Sequence, residues 1–281
     1  MSHIVLSYFQ AEALLAARRA GESQFLVSPD LGLTETEVAI IRDRVCFPDG
    51  QILTWEDLEM ISNSPRGCFL VEEDGLRKIQ VFSEATNRLY SLMPTQGAPT
   101  MLLSGIPMHR IKGVDPHQDT LRKIKTIAPI QGHVLDTATG LGYTAIQAAQ
   151  TAEQVVTIEL DPAALEIARI NPWSRELFEN PKIAQIVGDS FEEIGYFESG
   201  AFSHIIHDPP AFSLAGDLYS GEFYEELFRV LRRGARLFHY IGDLGSKSGR
   251  SVARGATRRL GEAGFSRVVR RPEAFGLVAY K

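Results

Sequence analysis

Val134-Leu135-Asp136-Thr137-Ala138-Thr139-Gly140-Leu141-Gly142-Tyr143-Thr144-Ala145 places two glycines between a short apolar run and a helix-forming one. Gly140 and Gly142 let the backbone turn sharply and approach a ligand with no Cβ in the way. Gly140 to Ala145 also satisfies the G-x-G-x-x-G/A fingerprint of dinucleotide sites. A single match of that kind leaves the ligand open, so its neighbours must decide.

Outward from this turn, strand and helix patterns alternate. A helix over His117–Thr126 leads into a strand at His133–Leu135, and a second helix runs from Tyr143 to Thr151. Val155–Leu160 is a β-branched strand, and Pro162–Arg169 opens on a proline suited to a first helical turn. Strands follow at Ile183–Val187 and Phe202–Ile206, then helix Glu222–Leu231, strand Ala235–Tyr240 and helix Val252–Ala263. Strands near Arg267–Val269 and Leu277–Tyr280 close the chain. Such alternation predicts a mostly parallel sheet covered on both faces, with ligands bound at the carboxyl ends of its strands.

Three carboxylates lie at those ends. Asp136 ends the first strand, where the turn brings it toward a ligand's ammonium group. A pyrophosphate there would be repelled. Glu159 ends the second strand, placed to accept from two ribose hydroxyls, and Asp189 follows the third, placed to accept from an adenine amino group. The set favours S-adenosylmethionine over a dinucleotide, and it resembles the class I S-adenosylmethionine-dependent methyltransferases over about Asp115 to Lys281. The resemblance implies a Rossmann-like class I methyltransferase sheet, an α/β fold, with S-adenosyl-L-methionine as cofactor. It also implies cofactor contacts from Asp136, Thr137, Ala138, Gly140, Gly142, Tyr143, Glu159, Leu160, Asp189 and Ser190. Ala138 stands where the family has its first motif glycine, so binding requires a negative φ there.

The fourth strand runs into His207-Asp208-Pro209-Pro210-Ala211-Phe212. Each proline restricts its predecessor to extended conformations and donates no hydrogen bond, giving a rigid turn. Asp-Pro-Pro resembles the motif of methyltransferases acting on planar, nitrogen-bearing groups, and the spaced Asp-Pro-Pro-x-Phe is similar to several ribosomal-RNA base methyltransferases. The resemblance assigns the reaction to Asp208, Pro209 and Phe212. Substrate contacts fall to His207, Pro210 and Tyr219, and to Lys247 and Arg250 of a basic loop over 242–250. Phe212 is read equally as a core residue. Methylation of carbon through a cysteine is disfavoured, because no cysteine follows Cys68.

Tyr219-Ser220 through Tyr224 is similar to the segment after the fourth strand of spermidine synthases. Aminopropyl transfer from decarboxylated S-adenosylmethionine is therefore the alternative, and a non-catalytic cofactor-binding module a third reading. A likeness spanning most of the chain joins it to archaeal and bacterial proteins regarded as predicted methyltransferases or spermidine-synthase-like. It rests on Asp136-Thr137 through Thr144, Asn171-Pro172-Trp173-Ser174 and His207–Pro210. The acceptor is read as a nitrogen of an RNA base first, then of a small molecule or protein.

Residues 1–112 read as a smaller N-terminal α+β domain and 113–281 as the catalytic domain, divided near Gly113–Pro116. The first helix is placed at Ser7–Gly21 and a short one at Trp55–Ser62. Strands are placed at Phe25–Leu31, Val38–Arg42, Arg44–Phe47, Cys68–Glu72, Leu76–Phe82, Arg88–Leu92 and Met101–Leu103. Weaker candidates are His109, Arg110 and Lys112, Trp173, and His239 with Tyr240.

The chain has 281 residues, 44% hydrophobic and 23% charged, the balance of a globular protein. No apolar run approaches the roughly 18 residues of a membrane span, and neither a leader nor a metal or disulfide pattern is read. A cytoplasmic location is expected. Net charge is −6 overall, yet Arg229–Lys281 holds 13 Lys and Arg against 3 Asp and Glu, or +10. Several of these arginines are read as solvated faces. Arg232, Arg233 and Arg236 are assigned to the edge of the sheet away from the ligand.

Overall fold

The computed structural model describes residues 3–73 and 75–281. The chain forms two compact units, one of Met1–His117 with Ala163–Arg175, the other of Gln118–Pro162 with Glu176–Lys281.

The first unit begins with β1 (Val5–Ser7), α1 (Tyr8–Ala20), β2 (Gln24–Val27), β3 (Thr36–Ile40), β4 (Arg44–Cys46), β5 (Ile52–Thr54) and α2 (Trp55–Ser62). It continues through β6 (Cys68–Glu72), β7 (Gly75–Lys78), β8 (Gln80–Ser83), β9 (Arg88–Met93), β10 (Thr100–Leu103) and β11 (Ile106–Pro107). The strands make three small sheets, ordered β1-β6-β7, β2-β3-β4-β5 and β11-β10-β9-β8. Both helices start on capping boxes, Ser7 with Gln10 and Thr54 with Asp57, which satisfy amides that an open helix end leaves bare. Leu14, Val38, Val45, Leu53, Leu58 and Ile61 form the apolar centre of the unit. The expected strand Leu76–Phe82 is two strands. Ile79 breaks it, because its amide donates to Cys68 while its carbonyl accepts from Leu92, so the chain passes there between sheets.

The rest of the chain carries α3 (Pro116–Lys125), β12 (His133–Asp136), α4 (Tyr143–Ala149), β13 (Gln154–Glu159), α5 (Pro162–Ile170), α6 (Arg175–Glu179), β14 (Ile183–Val187) and α7 (Ser190–Glu193). Then come β15 (Phe202–His207), α8 (Gly221–Val230), β16 (Leu231–Tyr240), α9 (Lys247–Glu262), β17 (Arg267–Arg271) and β18 (Gly276–Tyr280). Seven strands form one sheet in the order β14-β13-β12-β15-β16-β18-β17. β14, β13, β12, β15 and β16 are parallel, and β18 runs antiparallel between β16 and β17. This is the Rossmann-like α/β sheet expected from the sequence, and the smaller unit carries most of the N-terminal part of the chain. The order reverses at β12, so β13 and β15 flank it, and the carboxyl ends of these strands are where sheets of this topology bind ligands.

Leu135, Ile158, Ile205, Leu237, Leu277 and Ala279 share a core with Phe223, Tyr224 and Leu227 of α8 and Ala253, Ala256 and Leu260 of α9. Each large apolar side chain so buried contributes roughly 1.5–3 kcal/mol, which fixes the strand ends in register. The helix expected from Val252 starts instead at Lys247, where Ser246 caps it by accepting from the Gly249 amide. Gly249 lies against the Asp243 carbonyl with no room for a Cβ, so the glycine marks a close approach rather than a break. Lys247 and Arg250 consequently sit in the first turn of α9 and not in a loop, with Arg250 donating to the Gly245 carbonyl. Among the described residues, no helix is long and apolar enough to cross a membrane.

Candidate active site

The glycine turn is built by its neighbours. Gly140 has φ +53° and Gly142 φ +77°, and Ala138 is not among the residues with positive φ, so the alanine is accommodated. The Gly140 amide donates to Glu159 Oε2 at 2.7 Å, and Asp161 donates its amide to Oε1 at 3.1 Å. Glu159 thus pins the turn from the adjacent strand. Its burial raises its pKa, opposed by the amide donors of Gly140 and Asp161. A Cβ on Gly140 would meet nothing within 4 Å, so the turn borders open space. A Cβ on Gly142 would sit 2.7 Å from Leu177 Cδ2. Gly142→Ala combines that crowding with a disfavoured φ and is expected to cost roughly 1–3 kcal/mol, read as a lower melting temperature.

Asp136 is fully buried. Its Oδ2 accepts from the Thr144 and Thr157 hydroxyls at 3.0 and 3.1 Å, while Oδ1 has no hydrogen-bond partner among the described residues. Burial pushes its pKa up to about 7, with the nearby Asp208 carboxylate adding to the rise and the threonine hydroxyls opposing it. A buried, unsatisfied carboxylate oxygen is costly, and a cationic group at the turn would satisfy it. Asp189 is exposed and caps α7 through the Phe191 amide at 2.8 Å. Ser190, buried beside it, donates to the Thr137 carbonyl at 2.6 Å. Leu160 and Val187 are 59% and 54% exposed at the ends of neighbouring strands, an apolar pair available to a planar ring. Tyr143 is buried in the first turn of α4.

At the end of β15, Asp208 Oδ2 accepts from Lys123 Nζ at 2.7 Å. Lys123 also lies 3.0 Å from Asp119 and 4.6 Å from the centre of the Tyr240 ring. The lysine and Asp119 side chains are 3% and 1% exposed, that of Asp208 18%. Burial raises the Asp208 pKa, opposed by the Lys123 ammonium, and the two carboxylates hold Lys123 firmly protonated. Sequence reading missed Lys123. Its signal is phase: Asp119, Thr120, Lys123 and Ile127 are all buried, so two charged residues lie on the helix's inner face.

Not every residue expected at the substrate reaches the surface. His207 is fully buried, and Tyr219 is 2% exposed with its hydroxyl donating to the Pro210 carbonyl at 3.1 Å. Pro209 is buried, whereas Phe212 is 51% exposed and meets Tyr219 edge-on at 5.4 Å. His239 is buried with Nε2 2.7 Å from the Tyr224 hydroxyl. Arg236 donates to the Ala128 carbonyl, while Arg232 and Arg233 are exposed. In the first unit, Trp173 donates to the Leu31 carbonyl at 3.1 Å, and His109 Nδ1 lies 3.0 Å from the Thr100 hydroxyl.

The uncharacterized protein MJ1233 of Methanocaldococcus jannaschii is 40% identical over 284 residues, covering 99% of this chain and 96% of that protein. The chain belongs to its family. No protein-family model matches. Among solved structures, a spermidine synthase in complex with the transition-state analogue AdoDATO shares 19% identity with a TM-score of 0.58, over 73% of this chain and 74% of that one. The spermidine synthase of Thermotoga maritima shares 17% with a TM-score of 0.56, over 73% of each chain. At these identities the likeness is one of fold.

Proposed function

We propose that the protein is an S-adenosylmethionine-dependent methyltransferase acting on a nitrogen of a planar acceptor, an RNA base first, with a small molecule or protein side chain as the next classes. The observation that carries this reading is the buried Asp136 carboxylate, whose Oδ1 has no hydrogen-bond partner among the described residues, beside a glycine turn with free space at Gly140. Asp136 would hold the cofactor's ammonium group, Glu159 the ribose, and Asp189 the adenine, with Leu160 against the ring and Thr137, Ala138, Gly140, Gly142, Tyr143 and Ser190 shaping the pocket. When bound, the cofactor would supply a sulfonium methyl group for transfer to the acceptor nitrogen, with S-adenosylhomocysteine as the leaving group and the nitrogen's proton lost to solvent. Asp208 orients the acceptor amino group, Pro209 and Pro210 keep the turn rigid, and Phe212 offers a face to a planar ring. Alignment of this kind is worth many orders of magnitude in rate when reacting atoms are held in line. Lys247 and Arg250, on the first turn of α9, would meet an anionic acceptor such as RNA.

Aminopropyl transfer is the second reading, favoured by the fold likeness to spermidine synthases. Against it, a buried lysine ammonium lies 2.7 Å from Asp208, and a polyammonium acceptor would be repelled there.

The test is incubation with methyl-labelled S-adenosylmethionine and RNA. Label in base nitrogens supports the reading. Label only in small molecules or protein reassigns the acceptor, and activity only with decarboxylated cofactor and polyamines overturns it. The Asp136 pKa near 7 adds a pH prediction. A cationic ligand favours ionised Asp136, so binding near neutral pH releases a proton. Affinity is expected to rise with pH, by at most about tenfold per unit, and to level off above pH 7. Calorimetry in buffers of different ionisation heats reads the proton directly.

A further inference from the structure

His207 precedes the reactive Asp208, yet its ring faces inward, away from solvent. Nε2 lies 2.9 Å from the Leu218 carbonyl, and Nδ1 lies 2.7 Å from the Thr137 hydroxyl. A carbonyl can only accept, so Nε2 carries the proton and Nδ1 accepts from Thr137. Burial lowers the His207 pKa to about 3, so the neutral ring with this tautomer persists across the physiological range. Both nitrogens are used, and each partner belongs to a different part of the site.

Thr137 begins the glycine turn. Its amide donates to the Ile206 carbonyl at 3.0 Å, and its carbonyl accepts from the Ser190 hydroxyl at 2.6 Å, so it is tied to β15 and to the first turn of α7. Leu218 and Tyr219 close the segment that starts at Pro210. The Tyr219 hydroxyl donates back to the Pro210 carbonyl, and Arg259 Nε donates to the Tyr219 carbonyl at 2.8 Å. The segment is thus clipped at its ends, while its middle, Ala211 to Ser213, is exposed. Between Thr137 and Leu218 the His207 ring is the hydrogen-bonded link.

We propose that His207 is a positioning residue that couples the cofactor turn at Thr137 to the acceptor-facing segment Pro210–Tyr219, so that a ligand at the turn rigidifies that segment. This rests on the reading of the turn as an adenosyl-ligand site. A ligand that restrains Thr137 restrains the ring, and the ring restrains the Leu218 carbonyl. Coupling through rigidity requires no change of shape.

Hydrogen exchange with and without S-adenosylhomocysteine tests it, because the Leu214, Leu218 and Ser220 amides donate to carbonyls within the segment. In the unsubstituted protein the ligand is expected to slow exchange over 214–220 by about tenfold, within the usual range of coupling between sites. His207→Phe keeps a ring among Tyr219, Phe223 and Tyr224 but removes both hydrogen bonds, and His207→Leu removes them with an aliphatic side chain in place of the ring. Each variant should still bind the ligand and show slowing at the glycine turn, with none over 214–220. Slowing of the segment that persists in both variants, or that is missing in the unsubstituted protein with ligand bound, overturns the proposal. Absence of ligand binding to the unsubstituted protein overturns the cofactor reading, and this proposal with it.

Discussion

Lys123→Met should lower the stability of the sheet-bearing unit by about 3–5 kcal/mol, the usual cost of removing one partner from a buried ion pair. Methionine fills the volume but leaves Asp119 and Asp208 facing each other's charge without the ammonium between them. The sign of the pH dependence follows. Loss of the cation pushes the Asp208 pKa further above its unfolded value, so the variant loses stability as pH rises through that range, and its deficit is smaller near pH 5 than near pH 8. Urea unfolding followed at both pH values measures this, using the transition of the second unit, because two compact units need not unfold together. Lys123→Met combined with Asp208→Asn should recover part of the loss, since one of the stranded charges is gone. A deficit below about 1 kcal/mol, independent of pH, would mean that the triad is not held as described.

Asp208→Asn separates chemistry from binding. The amide keeps the shape of the carboxylate but loses its charge and one acceptor, so an amino group is no longer oriented by it. Methyl transfer is expected to fall by roughly 10²–10³, the effect of deleting one preorganised polar contact in a reacting site. Affinity for S-adenosylhomocysteine should change by less than about threefold, because Asp136, Glu159 and the glycine turn hold the cofactor. Full activity in the variant would remove Asp208 from the reaction. A parallel loss of cofactor affinity would instead place it in the cofactor pocket.

Much of this was legible in the sequence because it is local. A glycine turn after an apolar strand, and one acid at each of the next strand ends, are features of single segments, and the sheet brings those segments together. What was not legible is long-range or depends on which face a residue takes. Lys123 meets Asp208 across 85 positions, and nothing near Asp208 announces it. His207 and Tyr219 look like site residues by position, but β15 turns the histidine toward α8, where Phe223 and Tyr224 enclose it. The start of α9 was hidden by Gly249, whose helix propensity is poor but whose missing Cβ admits the Asp243 carbonyl. The break at Ile79 was hidden because no glycine, proline, asparagine or aspartate interrupts Leu76 to Phe82 to signal a turn.

The most direct test of the central claim is calorimetric titration of the purified protein with S-adenosylmethionine, S-adenosylhomocysteine and decarboxylated S-adenosylmethionine. The first two are expected to bind, with the decarboxylated form at least about tenfold weaker, a difference of about 1.4 kcal/mol, and Asp136→Asn is expected to weaken all three. Preference for the decarboxylated form would contradict methyl transfer in favour of aminopropyl transfer, and no binding of any of them would contradict the assignment of the glycine turn itself.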